Sequence, residues 1–276
     1  MSPKQRRNDR RPGARPPLPR GGGSPEHAAG SGHRRRLEDE QAEWLWGWHP
    51  VVAALDNPLR AAPKRLLATA DRAKPLQGRH EMAPLVEIVD AHIISQLLPQ
   101  GAAHQGVALR IPLLEPTPLD ELAAGPRPFL VMLDQVTDPQ NVGAIFRSAA
   151  AFGAGGVIVQ DRHAPALTGA LAKAAAGAID KIPHARETNL SRALEQLEAL
   201  GWRAVGLDGE AEDPLHRVLD GSKTVLVLGA EGEGLRRLVR EHCDAVANIP
   251  MPGGFESLNV SAAAAVAMYE VSRRAV

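Results

Sequence analysis

Short apolar runs alternate with amphipathic segments over the second half of the chain. Five runs have the length and continuous apolar character of buried strands: 129–133, 156–160, 203–207, 224–228 and 246–250. The spacing of apolar positions predicts four helices, at 141–152, 167–176, 189–200 and 258–274. Because apolar strands alternate with helices, the pattern predicts an α/β domain over 128–276 with a parallel sheet covered on both faces.

A smaller α/β unit is predicted at 44–110. Its apolar segments favour a helix around 51–55, strands at 65–70 and 104–110, and a strand or short helix at 85–89. The proline-rich stretch that follows, 111–127, is typical of a linker. The chain is therefore predicted to hold two folded domains, which its 276 residues can accommodate.

The N-terminal segment differs from both domains in composition. Residues 11–32 include five prolines and six glycines. A segment of this composition buries too little apolar surface to offset the entropy lost on ordering, so we predict that 1–42 is disordered. Residues 1–36 carry a charge balance of +8, whereas the rest of the chain carries −8. Such a basic arm is suited to meeting polyanions, although a solvated tail without a role has the same composition.

Several kinds of protein and site are disfavoured by the sequence. The chain has no apolar run long enough to span a membrane and no apolar N-terminal signal. The single cysteine, Cys243, excludes an internal disulfide, suits a cytoplasmic location and has no metal-ligand spacing around it, which favours a buried thiol and a metal-free reaction. A dinucleotide fingerprint, a P-loop and a Gly-x-Ser-x-Gly elbow are all missing. An oxidoreductase that uses a nucleotide is accordingly disfavoured.

Three polar segments follow predicted strands, at 134–147, 229–234 and 249–261. Ligands of open α/β sheets bind beyond the carboxyl ends of the strands, so these segments could share one crevice. Any single Ser or Asn at a helix start is ordinarily a cap, and this alternative stays open for each of them. The candidate catalytic residues that would meet in the crevice are Asn141, Arg147, Glu231, Ser257, Asn259 and Ser261.

These three segments resemble the three motifs of the SPOUT superfamily, specifically the TrmH-type ribose 2′-O-methyltransferases. The segments match these motifs in order and in spacing. The first motif is Asp-x-Val-x-Asp-Pro-x-Asn-x-Gly-Ala followed by Arg147, the second is Gly-Ala-Glu-Gly-x-Gly, and the third is Ile-Pro-Met-x-Gly with Ser-Leu-Asn-Val-Ser. Upstream, residues 47–51 and 104–107 resemble the ends of the L30e-like substrate-binding domain of bacterial members. Residues 210–212 and 236–243 resemble the RlmB-type subgroup, which acts on 23S ribosomal RNA.

The resemblance implies a deep trefoil knot in the C-terminal domain, an L30e-like domain before it, and a homodimer. It implies S-adenosylmethionine as the cofactor, bound largely through backbone groups of Gly229, Ile249, Leu258 and Gly253. It also places the six candidate residues listed above at the catalytic crevice. Arginine holds its proton very tightly, so Arg147 is better suited to stabilising the ribose alkoxide and the target phosphate than to accepting a proton.

The implied activity is methylation of a ribose 2′-hydroxyl, with a guanosine of 23S ribosomal RNA as the expected target. A tRNA ribose methyltransferase and a non-catalytic protein that only binds ribosomal RNA are the alternatives. RNA recognition would rest on the small domain and the basic arm. Trp44, Trp46 and Trp48 could stack on bases or pack the core of the small domain.

Overall fold

The computed structural model describes residues 42–78, 86–254 and 257–274. The predicted disordered tail and its basic arm lie outside these residues, apart from Ala42, where the first strand begins. None of the helices in the described part of the chain is both long and apolar enough to cross a membrane.

The small domain is built on a mixed sheet of four strands in the order β1-β4-β2-β3. The pairs β1–β4 and β4–β2 are antiparallel, whereas β2 and β3 are parallel. Its strands are β1 (Ala42–Trp46), β2 (Arg65–Ala68), β3 (Val86–Ile88) and β4 (Val107–Pro112). Its helices are α1 (Trp48–Asp56), α2 (Ala70–Gln77) and α3 (Ala91–Leu97).

The larger domain contains the predicted parallel sheet, with six strands in the order β10-β8-β9-β5-β6-β7. The strands are β5 (Phe129–Leu133), β6 (Val157–Gln160), β7 (His184–Glu187), β8 (Arg203–Leu207), β9 (Thr224–Leu228) and β10 (Ala245–Ala247). The helices are α4 (Leu119–Ala123), α5 (Pro139–Phe152), α6 (Gly169–Ala175), α7 (Leu190–Ala199), α8 (Leu215–Val218), α9 (Arg237–Glu241) and α10 (Val260–Arg274), with a 3₁₀ turn at Ala178–Asp180.

Helix α5 has both ends fixed by its sequence. The Asp138 carboxylate accepts hydrogen bonds from the backbone N–H groups of Gln140 and Asn141, and Pro139 occupies the first turn, where its missing N–H costs nothing. At the other end Gly153 adopts the left-handed conformation that ends many helices. The prediction that α5 ends at Gly153 is confirmed, but the helix begins two residues earlier than its apolar periodicity indicated.

Some elements were missed or placed differently by the pattern of apolar positions. Strand β7 has the sequence His-Ala-Arg-Glu and lies at the edge of the sheet, so it lacks the apolar signature of the central strands. Strand β1 was not predicted either. The predicted linker 111–127 contains α4, whose leucines pack against the large domain. The predicted strand at 246–250 is shorter, at Ala245–Ala247.

Candidate active site

A cavity of about 660 Å³ opens beyond the carboxyl ends of three adjacent strands, β10, β8 and β9. Strands β8 and β9 are followed by the lining segments 207–210 and 228–235, and the third segment, around β10, contributes Ala247, Ile249 and Met251. Residues 257–260 and Ala263, at the start of α10, complete the wall. The location agrees with the rule that parallel sheets bind ligands at this edge.

The loop after β9 turns back on itself at Gly229. Ala230 and Gly234 exchange two backbone hydrogen bonds, of 3.1 and 3.0 Å, which brings the two arms of the loop together. A Cβ on Gly229 would lie 2.2 Å from the carbonyl carbon of Gly234, so no other residue fits there without moving the backbone. Only glycine therefore allows this turn at the edge of the cavity.

The far end of the same loop is anchored to β5 by a buried carboxylate. Asp134, which is fully buried, accepts hydrogen bonds from the backbone N–H of Arg236 at 2.9 Å and from its Nε at 2.6 Å. Asp134 also donates its own backbone N–H to Leu228. Asp134 thus holds both ends of the loop, because it binds Leu228 before the loop and Arg236 after the loop.

Glu231 connects the three polar segments that the sequence singled out. Its Oε1 accepts hydrogen bonds from Asn259 Nδ2 at 2.6 Å, from the backbone N–H of Val260 at 3.1 Å and from Asn141 Nδ2 at 3.3 Å. Asn141 Oδ1 accepts a further hydrogen bond from Asn259 Nδ2 at 3.0 Å. The expected meeting of the three segments is therefore present, with Glu231 at its centre.

Asn259 combines both interpretations that the sequence left open. Its Oδ1 accepts hydrogen bonds from Ser261 Oγ at 2.6 Å and from the backbone N–H groups of Ser261 and Ala262, and so caps helix α10. Its Nδ2 meanwhile donates to Glu231 and Asn141. Ser261 belongs to the cap, whereas Ser257 lines the cavity.

Two predicted site residues lie apart from this cluster. Arg147 is on α5, as Asn141 is, but its side chain is exposed, does not line the cavity and forms no hydrogen bond or ion pair within the described chain. Gly253 does not line the cavity, although Gly229, Ile249 and Leu258 do. The structure thus brings together Asn141, Glu231, Asn259 and Ser261, and leaves Arg147 directed to solvent.

The segment Leu207–Glu210 is a part of the cavity wall that none of the three polar sequence segments includes. Its place in the sheet could have indicated it: β8 lies between β10 and β9, so the carboxyl end of β8 faces the same edge as theirs. Asp208 forms an ion pair with Arg240, whereas Glu210 and Glu233 also line the cavity and no Lys or Arg is among its lining residues. The lining is acidic, which suits a ligand that carries positive charge.

Cys243 takes no part in this site. Its thiol is half-buried, donates a hydrogen bond to the Val239 carbonyl, and has its pKa raised to about 12 by burial and then by the nearby Asp244 carboxylate. A thiol of this kind stays protonated at neutral pH and is a poor nucleophile. Over the described ranges, no three His, Cys, Asp or Glu side chains are grouped so as to hold a metal ion.

Two family models match the chain. Residues 128–269 match the model of the SpoU rRNA Methylase family, and residues 44–117 match a model described as RNA 2′-O ribose methyltransferase substrate binding. The two matched regions correspond to the large and the small sheet.

Individual relatives agree with these models. The chain is 38% identical over 244 residues to the 23S rRNA (guanosine-2′-O-)-methyltransferase RlmB of Xylella fastidiosa, which covers 86% of this chain and 98% of that protein. It is 37% identical over 256 residues to an uncharacterized tRNA/rRNA methyltransferase of Mycolicibacterium vanbaalenii, covering 90% of this chain and 81% of the relative. The crystal structure of an AdoMet-bound rRNA methyltransferase from Sinorhizobium meliloti superposes with a TM-score of 0.72 at 26% identity, over 87% and 90% of the two chains.

Proposed function

The chain belongs to the SpoU rRNA Methylase family and is an S-adenosylmethionine-dependent RNA 2′-O-methyltransferase, and from that premise we propose that its target is a guanosine of 23S ribosomal RNA. The observation that supports this target is the match to the RlmB relative, which extends over 98% of that protein and so includes the small domain. A tRNA target remains the alternative, because the M. vanbaalenii relative is described as a tRNA/rRNA methyltransferase.

We propose that the cofactor lies in the cavity beyond β8, β9 and β10. The cavity is large enough for a nucleoside with an amino-acid side chain, and Gly229 gives it a tight backbone wall that a Cβ would disrupt. Backbone groups of Gly229, Ile249 and Leu258 would hold the cofactor, and Gly253 would act from the adjacent loop. The acidic lining favours the positively charged sulfonium.

The bound cofactor supplies an activated methyl group, so the protein has to align the ribose 2′-oxygen with it and stabilise the charge that develops. We assign the alignment to the cluster of Asn141, Glu231 and Asn259, with Ser257 and Ser261 shaping the same wall. Arg147 is exposed and has no partner within the described chain, so its guanidinium is available to bind a phosphate of the incoming RNA and to stabilise the alkoxide.

We further propose that the segment after β10 forms the trefoil knot expected from the resemblance. Residues 259 and 260 donate hydrogen bonds to Glu231, so the segment after β10 lies against the loop after β9. The proposed domain boundaries are 44–110 for an L30e-like domain and 128–276 for the methyltransferase domain, joined by 111–127, which contains α4. We also propose a cytoplasmic location, because the proposed substrate is ribosomal RNA.

A homodimer is also proposed, through the exposed side of α10 and α5. Val266 and Tyr269 on α10 are 45% and 53% exposed, and the Tyr269 ring packs edge-on against Phe152 at 5.9 Å between centroids. Large apolar side chains that are exposed next to each other commonly mark an interface. Sedimentation should show a dimer for the native chain and a monomer for Tyr269→Arg.

The target is tested by incubating the protein with tritiated S-adenosylmethionine and unmodified transcripts of 23S ribosomal RNA and of bulk tRNA, followed by mapping of ribose methylation. We expect label at one guanosine of the 23S transcript. Label in tRNA alone would establish the tRNA alternative. If neither RNA is labelled while both are bound, the chain is the non-catalytic alternative, which the presence of Asn141, Arg147 and Glu231 disfavours.

A further inference from the structure

The small domain packs on one short stretch of the large domain, residues 169–180. Two glycines of this stretch allow a close approach: a Cβ on Gly169 would lie 3.0 Å from the Trp46 ring, and one on Gly177 would lie 2.8 Å from Ala53 Cβ. Lys173 Nζ also donates to Gln105 Oε1 at 2.7 Å. The contact between the domains therefore combines apolar packing with polar bonds.

At one end of this contact lies a buried ion pair. Arg60, in the loop after α1, donates from Nε to Asp180 Oδ1 at 2.7 Å and from Nη2 to Oδ2 at 3.2 Å. The two side chains are only 2% and 3% exposed. Arg60 Nη1 donates to the Pro112 carbonyl, and Asn57 Nδ2 donates to Asp180 Oδ1 at 3.1 Å. One carboxylate of the large domain thus binds two separate parts of the small domain's α1–β2 loop.

Such a buried ion pair fixes the relative orientation of the two domains more than it stabilises the fold. Removing two charges from water is costly, and apolar residues of similar size often stabilise a protein as well as a buried ion pair does. A two-point contact between a planar guanidinium and a carboxylate, however, fixes both the distance and the angle between the groups. Apolar contacts such as Trp46 on Gly169 allow neighbouring orientations. The Arg60–Asp180 pair selects one of them.

The stretch 169–180 is in turn packed against the helix that carries the candidate catalytic residues. A Cβ on Gly143 of α5 would lie 2.5 Å from the Leu171 carbonyl oxygen and 2.6 Å from Ala174 Cβ, so α5 and α6 approach at backbone distance. Asn141 and Arg147 belong to α5. The small domain is thereby connected to the active site through two rigid contacts in series.

We propose that Asp180 is a positioning residue: by binding Arg60 it holds the small domain at a fixed orientation to α5, so that RNA bound on the small domain presents its target ribose at the active site. This inference rests on the proposed function, because it takes the small domain as an RNA-binding domain. RNA that touches both domains gains affinity only when their spacing matches the spacing of its two contact points. Loosening the pair should therefore weaken RNA capture more than it slows the chemical step.

The first experiment measures the orientation of the small domain relative to the large domain from distances between spin labels, independently of activity. Spin labels are attached at exposed Lys74→Cys on α2 and Glu198→Cys on α7 in a Cys243→Ser background, and each labelled protein is diluted with excess unlabelled chain so that only distances within one chain contribute. The distance distribution is compared between the native pair, Asp180→Asn, and the double variant Arg60→Met with Asp180→Leu, which replaces both charges by apolar groups. Thermal unfolding verifies that each variant is folded.

We expect a narrow distribution for the native pair and a broader one for both variants. On the 23S transcript, KM for RNA should rise about tenfold in the double variant while kcat changes less than about threefold, and S-adenosylmethionine affinity should stay within about twofold. An unchanged distance distribution would overturn the proposal, as would a broadened one with unaltered KM and kcat. If the native protein methylates no RNA, the proposed function fails, and the distances alone decide whether the pair fixes the orientation.

Discussion

The side-chain amide of Asn259 lies 2.6 Å from the Glu231 carboxylate, although 28 residues of chain separate them. Glu231 also accepts from Asn141, so its removal would leave the two asparagine side chains held only by their mutual hydrogen bond and by the α10 cap. We expect Glu231→Ala to lower kcat by roughly a hundredfold, since misplacement of aligning groups by about 1 Å has effects of this size. Single-turnover methyl transfer measures the change.

Glu233→Ala is the matched control for this experiment. Glu233 lies two residues further along the same loop and lines the same cavity, but no hydrogen bond joins its carboxylate to Asn141 or Asn259. We expect it to retain kcat within about threefold. Equal losses in the two variants would show that overall acidity, and not the bonds of Glu231, matters.

Arg147→Ala should abolish methyl transfer while S-adenosylmethionine binding survives, because Arg147 does not line the cavity. The loss should reach about a hundredfold or more in kcat, as for removal of other groups that stabilise developing charge. Arg192→Ala, an exposed arginine on α7, serves as control. Near-normal turnover of Arg147→Ala would remove this residue from the mechanism.

Two glycines distinguish the parts of the proposed cofactor site. Gly229→Ala should lower S-adenosylmethionine affinity more than tenfold, because its Cβ would overlap the backbone of Gly234 at 2.2–2.3 Å. Gly253→Ala should leave affinity within about twofold, since no atom of the described residues lies within 4 Å of the added Cβ. Isothermal titration calorimetry gives both values. A large loss for Gly253→Ala would show that Gly253 approaches the cofactor too closely for a side chain to be accommodated.

His184 should make the fold sensitive to mild acid. Burial, followed by the charges of Arg186 and Arg60, lowers the pKa of its imidazole to about 4, and neither ring nitrogen has a hydrogen-bond partner among the described residues. The unfolded chain, with a pKa near 6.5, takes up a proton at a pH where the folded chain does not. This contribution to stability is therefore present above pH 6.5 and is lost as the pH falls towards 4.

The magnitude is testable by urea unfolding at pH 7 and pH 5. The loss attributable to His184 over this interval should be about 2 kcal/mol, and His184→Leu should lack that part of the decrease. His92→Leu, at an exposed position on α3, should show the same decrease as the native chain. The same pH dependence in His184→Leu and the native protein would assign the acid sensitivity to other groups.

Local sequence predicted the large domain well because its strands are apolar throughout and its helices have recognisable ends, as at Gly153 and Asn189. The convergence of Asn141, Glu231 and Asn259 was also predictable, since all three follow strands whose carboxyl ends share one edge. The Arg60–Asp180 pair was not. It joins Arg60, in a loop, to Asp180, in a short 3₁₀ turn 120 positions further on, so its partners are determined only by how the two domains pack.

Asn259 both caps α10 and completes the cluster around Glu231, and this has a consequence for protein synthesis. Until residues 259–274 have left the ribosome and formed their helix, Glu231 lacks two of its three hydrogen-bond donors. A nascent chain could fold its small domain and most of its sheet, and even meet ribosomal RNA, without being competent to modify it. The formation of α10 would then be the step that makes the protein catalytically competent.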